Sequence, residues 1–162
     1  MGGGAVTLPV EIHPLSDAFL QEALEISGTV MVSRGTLHQL GELPGYVALA
    51  DGRVQGCIFY RIDGERCEIV SLDSRMENVG AGTALIRSVI ETALAAGCRT
   101  VWLITSNDNT KAIRFYQKRG FDLTAVYRDA ITEARKLKPS IPLTGNDGIP
   151  IRHEIGFEYR LT

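Results

Sequence analysis

Residues 46–72 read Tyr-Val-Ala-Leu-Ala-Asp-Gly-Arg-Val-Gln-Gly-Cys-Ile-Phe-Tyr-Arg-Ile-Asp-Gly-Glu-Arg-Cys-Glu-Ile-Val-Ser-Leu. Apolar, β-rich runs at 46–50, 54–62 and 67–72 are separated by Asp51-Gly52 and Asp63-Gly64. Asp-Gly suits a type I′ turn, in which both central residues take positive φ and the twist matches that of a hairpin. Two such turns in succession predict an antiparallel three-stranded meander. Downstream the period changes. From 82 to 96, Leu85, Ile86, Val89, Ile90, Ala93 and Leu94 recur at helical spacing, with Arg87 and Glu91 opposite and Gly97 as a stop. Residues 100–105, Thr-Val-Trp-Leu-Ile-Thr, read as a short central strand buried on both faces. Ser106-Asn107-Asp108-Asn109 offers capping oxygens for a helix over 110–119. That helix groups Ala112, Ile113, Phe115 and Tyr116 and turns Lys111, Arg114 and Lys118 outward. Gly120-Phe121 fits a left-handed cap with an apolar contact back onto the helix.

Outward from this centre, 5–12 reads as a strand and 16–26 as a helix with Phe19, Ala23, Leu24 and Ile26 inward. The polar, Gly- and Pro-bearing stretch 27–44 is assigned a short helix. Residues 123–127 read as a strand and 129–137 as a short basic helix. Pro139, Pro142, Gly145, Gly148 and Pro150 make 138–150 a structured loop before a closing strand over 151–161. The fold class is α/β of the α+β type: a mixed, mostly antiparallel sheet with helices on both faces, without regular βαβ alternation.

The 162 residues suit one domain, 1–162, with the leading Met-Gly-Gly-Gly (1–4) read as disordered. Seventeen Lys and Arg balance nineteen Asp and Glu, for a net charge of −2. That balance argues against a nucleic-acid partner, which requires clustered basic excess. The longest apolar run, 46–50, is far short of the ~20 residues that span a bilayer. No basic stretch and apolar core mark a secretory signal at the amino terminus, so the expected location is cytoplasmic, with no membrane partner. Cys57, Cys67 and Cys98, odd in number and without a Cys-x-x-Cys pair, read as small buried hydrophobes. His13, His38 and His153 are too scattered for a metal site, so no metal is expected.

Chemistry concentrates at Asp73-Ser-Arg-Met-Glu-Asn-Val-Gly-Ala-Gly-Thr-Ala-Leu85, where a strand runs into Gly80-x-Gly82 at a helix start. Exposed backbone N–H groups at the positive end of a helix dipole bind phosphate. A dinucleotide-binding fingerprint fails, because Leu85 stands where its third glycine belongs. A P-loop fails for want of Gly-Lys-Ser/Thr.

Glu77-Asn78-Val79-Gly80-Ala81-Gly82 resembles the (Gln/Arg)-x-x-Gly-x-(Gly/Ala) signature of the GNAT superfamily of acyl-CoA-dependent N-acyltransferases. The second motif, Asn-x-x-Ala-x-x-(apolar)-Tyr-x-x-x-Gly-Phe, is matched throughout by Asn109, Ala112, Phe115, Tyr116, Gly120 and Phe121. The resemblance covers roughly 46–123 firmly and the flanks loosely. Glu77 departs from the family's Gln or Arg; Arg75 is a nearby cation.

This resemblance implies acetyl-CoA as cosubstrate and a monomer or homodimer. Backbone N–H groups of Val79, Gly80, Ala81, Gly82 and Thr83 would cradle the pyrophosphate, with the Thr83 hydroxyl as a further donor. Pantetheine would lie against the third meander strand as an added strand, pairing at Val70 and Leu72. Asn109 would hydrogen-bond it, and the small Ala112 would let it pass close to the helix. Amine acylation needs two proton transfers: an alkylammonium of pKa ~10 must lose a proton, and the departing thiolate should gain one. Tyr116 matches the family's tyrosine, the acid for the thiolate; the competing reading is a partly buried helix aromatic. Glu68, a carboxylate interrupting an apolar strand, is the base candidate, acting through water; the competing reading is an outward-facing residue paired with a neighbouring charge.

The run Lys138-Pro-Ser-Ile-Pro142 resembles the tail of a bacterial subgroup of the superfamily, although His153-Glu154-Ile155-Gly156 replaces its acidic ending. Arg135, Lys136 and Arg152 would cover the acceptor site and bind an acidic group, or else face solvent. The implied function is acetyl transfer from acetyl-CoA to a primary amine of a small molecule or peptide by direct attack. The alternative is a catalytically silent acyl-CoA-binding sensor on the same fold.

Overall fold

The computed structural model describes residues 9–75 and 80–161. In chain order the elements are β1 (Glu11–Pro14), α1 (Asp17–Ser27), β2 (Val30–Ser33), β3 (Thr36–Gln39), a 3-10 turn (Leu40–Glu42) and β4 (Gly45–Ala50). Then follow β5 (Arg53–Asp63), β6 (Arg66–Ser74), α2 (Ala81–Ala95), β7 (Thr100–Ser106) and α3 (Thr110–Lys118). The chain closes with β8 (Asp122–Tyr127), α4 (Ala130–Ala134), a 3-10 turn (Asn146–Gly148) and β9 (Glu154–Arg160). Among the described residues seven strands form one sheet in the order β1-β4-β5-β6-β7-β9-β8, while β2 and β3 pair only with each other.

The meander is β4-β5-β6. Asp51 and Gly52 both have positive φ (52° and 74°), the type I′ pattern. The second turn differs from the expectation. Asp63 pairs with Arg66, so the loop is Gly64-Glu65, and its first residue, Gly64, has positive φ (61°), as in a type II′ turn.

One core, built on Ile58, Cys67, Ile69, Leu85, Val89, Val101, Leu103 and Phe157, lies on the α2 face. The other, with Ala23, Leu40, Val47, Cys57, Phe59 and Val70, lies on the α1 face. Helices therefore cover both faces, as expected. Burial holds the Cys57 and Cys67 thiols up at about 12. All three cysteines are free and buried.

Two features of β6 shape the site. Its register with β5 shifts so that Ser71 faces Phe59 and Ile69 faces Tyr60, leaving Val70 as the extra residue of a bulge. Among the described residues its parallel partner, β7, pairs with it at Arg66, Cys67 and Glu68 alone. Beyond Glu68 the two strands diverge, and residues 69–74 present an edge to a wedge in the sheet.

Elsewhere the flanks depart from the sequence reading. The short helix assigned to 27–44 is the β2–β3 hairpin plus the first 3-10 turn. Its turn residues Arg34 and Gly35 have φ of 48° and 81°, so this is another type I′ turn. The first strand starts at Glu11, later than expected, and 5–8 lie outside the described residues. The basic helix shortens to Ala130–Ala134, and the last strand starts at Glu154 because residues 152 and 153 donate their backbone N–H to Asn107 Oδ1, both at 2.9 Å.

Candidate active site

Helix α2 is capped at its start by Gly80, whose φ of 79° is left-handed. Its first intrahelical bond runs from Ala84 N–H to Gly80 C=O (3.0 Å), so the amides of residues 81–83 have no partner inside the helix. They sit at the positive end of a fifteen-residue helix. The two glycines serve different ends. A Cβ on Gly80 would meet nothing within 4 Å and would project into open space. On Gly82 it would lie 3.1 Å from the Phe115 ring, so that glycine lets α3 pack closely against α2.

Helix α3 is fixed at both ends. Asn109 Oδ1 accepts from Ala112 N–H (3.2 Å) at its start. At its end Gly120 N–H bonds to Gln117 C=O (3.1 Å) and Phe121 N–H to Tyr116 C=O (3.0 Å), a Schellman motif. The accompanying apolar contact is the Tyr116–Phe121 ring pair, 5.5 Å apart. Tyr116 also packs on Phe115 and Phe157 and is only 7% exposed. Burial, then the charge of Asp73, raises its pKa well above the ordinary tyrosine value. Its hydroxyl has no hydrogen-bond partner among the described residues.

A cavity of about 500 Å³ lies between these helices and the β6 edge. It gathers Leu72, Gly80, Ala81, Gly82, Thr83, Ala112 and Tyr116 of the sequence-selected residues. Lys111, Arg114, Lys118 and Arg119 also line it, with no Asp or Glu among the described lining residues. Helical periodicity turns Lys111, Arg114 and Lys118 away from the core, and that outward face is the wall of the cavity. Arg119 was not singled out from sequence. It stacks 4.0 Å from the Phe115 ring centroid and donates from Nε to Thr83 Oγ1 (3.0 Å), which leaves the Thr83 proton free to point elsewhere. The basic run 111–119 was its only sequence signal.

The other chosen residues fall elsewhere. Val79, like Glu77, lies outside the described residues. Val70 faces the α1-side core, and Asn109 acts as the α3 cap. Glu68 is 2% exposed and is not outward-facing. Its Oε2 accepts from the Ser33 hydroxyl (2.5 Å), and Oε1 from Arg61 Nη1 (3.4 Å).

Arg135 donates to the carbonyls of Ile141 (3.2 Å), Pro142 (2.7 Å) and Ile151 (2.5 Å), so it ties the Pro-rich loop together. Lys136 pairs with Glu133 (2.8 Å) and Arg152 with Asp129 (3.0 Å). None of these three lines the cavity. Asp108, unmarked in the sequence beyond its place in a capping cluster, is buried and accepts from Ser106 Oγ (2.5 Å), Asn146 N–H (3.1 Å) and Asn146 Nδ2 (3.0 Å). It seats the loop on the end of β7.

A strand edge beside a wedge, leading into a cation-lined cavity at a helix amino terminus, suits an extended anionic ligand. Residues 12–121 match the model of the acetyltransferase (GNAT) family. The chain is 47% identical over 148 residues to the uncharacterized protein YdhI of Bacillus subtilis, covering 90% of this chain and 89% of that one. The chain belongs to the GNAT acetyltransferase family. Its fold is similar to that of an IAA acetyltransferase from Bacillus cereus (TM-score 0.73, 21% identity, 94% and 99% of the two chains covered). It is equally similar to a Bacillus subtilis acetyltransferase solved in complex with CoA (TM-score 0.72, 21% identity, 95% and 100% covered). Among the described residues no helix is long and apolar enough to cross a membrane.

Proposed function

We propose that this protein transfers an acetyl group from acetyl-CoA to a primary amine of a small molecule or peptide. The observation that carries this reading is one cavity that brings together the β6 edge left unpaired by β7, at Leu72 and Ser74, with Tyr116, the amides at the start of α2 and the cations of α3. Family membership and the CoA-bound neighbour support it.

The residues fit the cosubstrate. An extended amide-bearing pantetheine arm matches a strand edge, with backbone at the Val70 bulge and Leu72 as its partner. A pyrophosphate matches the free amides of 81–83, the Thr83 hydroxyl and the α3 cations. Gly80 leaves the room that a side chain would fill.

In the reaction the amine nitrogen attacks the thioester carbonyl carbon, a C–N bond forms, the C–S bond breaks and the CoA thiolate leaves. Tyr116, held protonated by its raised pKa, presents its O–H to that sulfur; the leaving thiolate takes this proton, and the second proton shed by the nitrogen as the neutral amide forms restores the tyrosine through solvent. Glu68 removes the ammonium proton through water, its carboxylate oriented by Ser33 and Arg61. Release of free CoA thiol, followed with a thiol reagent across a panel of alkyl, sugar and peptide amines, tests the reading. Turnover of at least one amine is expected. Acetyl-CoA binding with no turnover on any of them would favour the silent sensor.

A further inference from the structure

The β2–β3 hairpin makes no ladder with the main sheet. A lone two-stranded hairpin is marginal in water, so other contacts must hold it. At its base Leu40 N–H bonds to Thr29 C=O (2.9 Å), and Lys138 Nζ reaches Val30 C=O (3.2 Å). At its tip two successive residues each grip a buried carboxylate. Ser33, itself buried, donates to Glu68 on β6. Arg34 donates from its backbone N–H to Glu154 Oε2 (3.3 Å) and from Nη1 to Oε1 (3.0 Å), and its guanidinium lies 3.5 Å from the Tyr127 ring centroid. Glu154 is 1% exposed, so water cannot replace Arg34 there. A type I′ turn favours Asn, Asp or Gly at the position Arg34 occupies with φ 48°. The turn alone gives no reason for arginine; the Glu154–Tyr127 seat does.

We propose that the hairpin tip is a two-point clasp in which Ser33 sets the orientation of the Glu68 carboxylate and the Arg34–Glu154 pair keeps Ser33 in place. Ser33 and Arg34 are thus positioning residues for the acceptor side of the reaction, an assignment that rests on Glu68 acting as the base. The charged groups around Glu68 are Arg61 with its partner Asp63 (3.6 Å) on β5, and, through the hairpin, Arg34, Glu154 and Lys138. A carboxylate that loses a hydroxyl donor loses a bond made to its ionised form.

The test compares Ser33→Ala, Ser33→Thr, Glu154→Gln and Glu68→Gln in full-length protein. It uses acetyl-CoA with the amine turned over fastest in the panel, and pH titration of the Glu68 carboxyl carbon by NMR of glutamate-labelled protein. Ser33→Ala should lower kcat about tenfold with acetyl-CoA affinity unchanged, and should move both the acid limb of kcat/KM and the Glu68 titration to higher pH. Ser33→Thr, which keeps the hydroxyl, should restore both and guards against mere misfolding. Glu154→Gln should give the same shifts at smaller amplitude, not additive with Ser33→Ala. In a Glu68→Gln background Ser33→Ala should have no further effect. An unmoved titration, or an equal loss of rate in that background, overturns the clasp while leaving Glu68 as base. Full activity of Glu68→Gln alone overturns the base reading and the clasp together.

Discussion

The two sides of the wedge are built by opposite means. On the α2–α3 side the proposed anion cradle is largely backbone and local: the amides of 81–83, a left-handed Gly80 and one basic helix face within 111–119. On the α1 side the arrangement is mostly side chains brought from far apart, with the Arg34 backbone N–H as the exception. Ser33 and Glu68 are 35 residues apart, and Arg34 and Glu154 are 120 apart. A backbone site tolerates side-chain change wherever no Cβ intrudes. A side-chain site depends on each of its members.

Tyr116→Phe should show the largest effect. Turnover should fall about 100-fold or more with acetyl-CoA affinity nearly unchanged, since only the O–H is lost. Equal loss in both would make Tyr116 a packing residue and blur the contrast between the two sides. Gly80→Val should come next. A β-branched residue at φ 79° would strain the left-handed turn that aims the amides of 81–83, and should weaken acetyl-CoA binding on the order of 30-fold by calorimetry. Gly82→Ala should act through the Phe115 contact instead, lowering thermal stability with a smaller effect on affinity.

Gly145→Ala addresses the loop that Asp108 seats. A Cβ there would meet Asp108 Oδ2 and cannot be accommodated without displacing the carboxylate, so a loss of about 1–3 kcal/mol is expected by denaturant unfolding.

A smaller effect concerns pH. Burial raises the Asp73 pKa above its ordinary 3.8, against the lowering from the Ser71 hydroxyl and the Lys138 charge. A carboxyl raised on folding stabilises fully below 3.8, and that contribution is lost as pH rises through its folded value. Asp73→Asn, which cannot ionise, should therefore gain in Tm relative to the parent between acid and neutral pH. A constant difference across that range would remove the burial argument.

What was legible in the sequence follows the same division. The Asp51-Gly52 turn, the α2 periodicity and the Asn109–Phe121 run are local signals, and each yields an element close to its expected bounds. The β2–β3 hairpin was hidden because its strands are four residues each, without clean alternation, and its one turn signal, Arg34-Gly35, carries an unusual first residue. Periodicity shows which face of α3 avoids the core but not that this face borders a cleft. Charge clustering near Arg135, Lys136 and Arg152 carried no information about partners, which here are backbone carbonyls and nearby acids.

The wedge and its cradle are proposed to serve acetyl transfer to an amine. Mass spectrometry of the amine panel after incubation with acetyl-CoA and the purified chain tests it most directly. One amine should gain an acetyl group at a rate that depends on the chain and collapses with Tyr116→Phe. Tight acetyl-CoA binding with no acetylated product on any amine would contradict it.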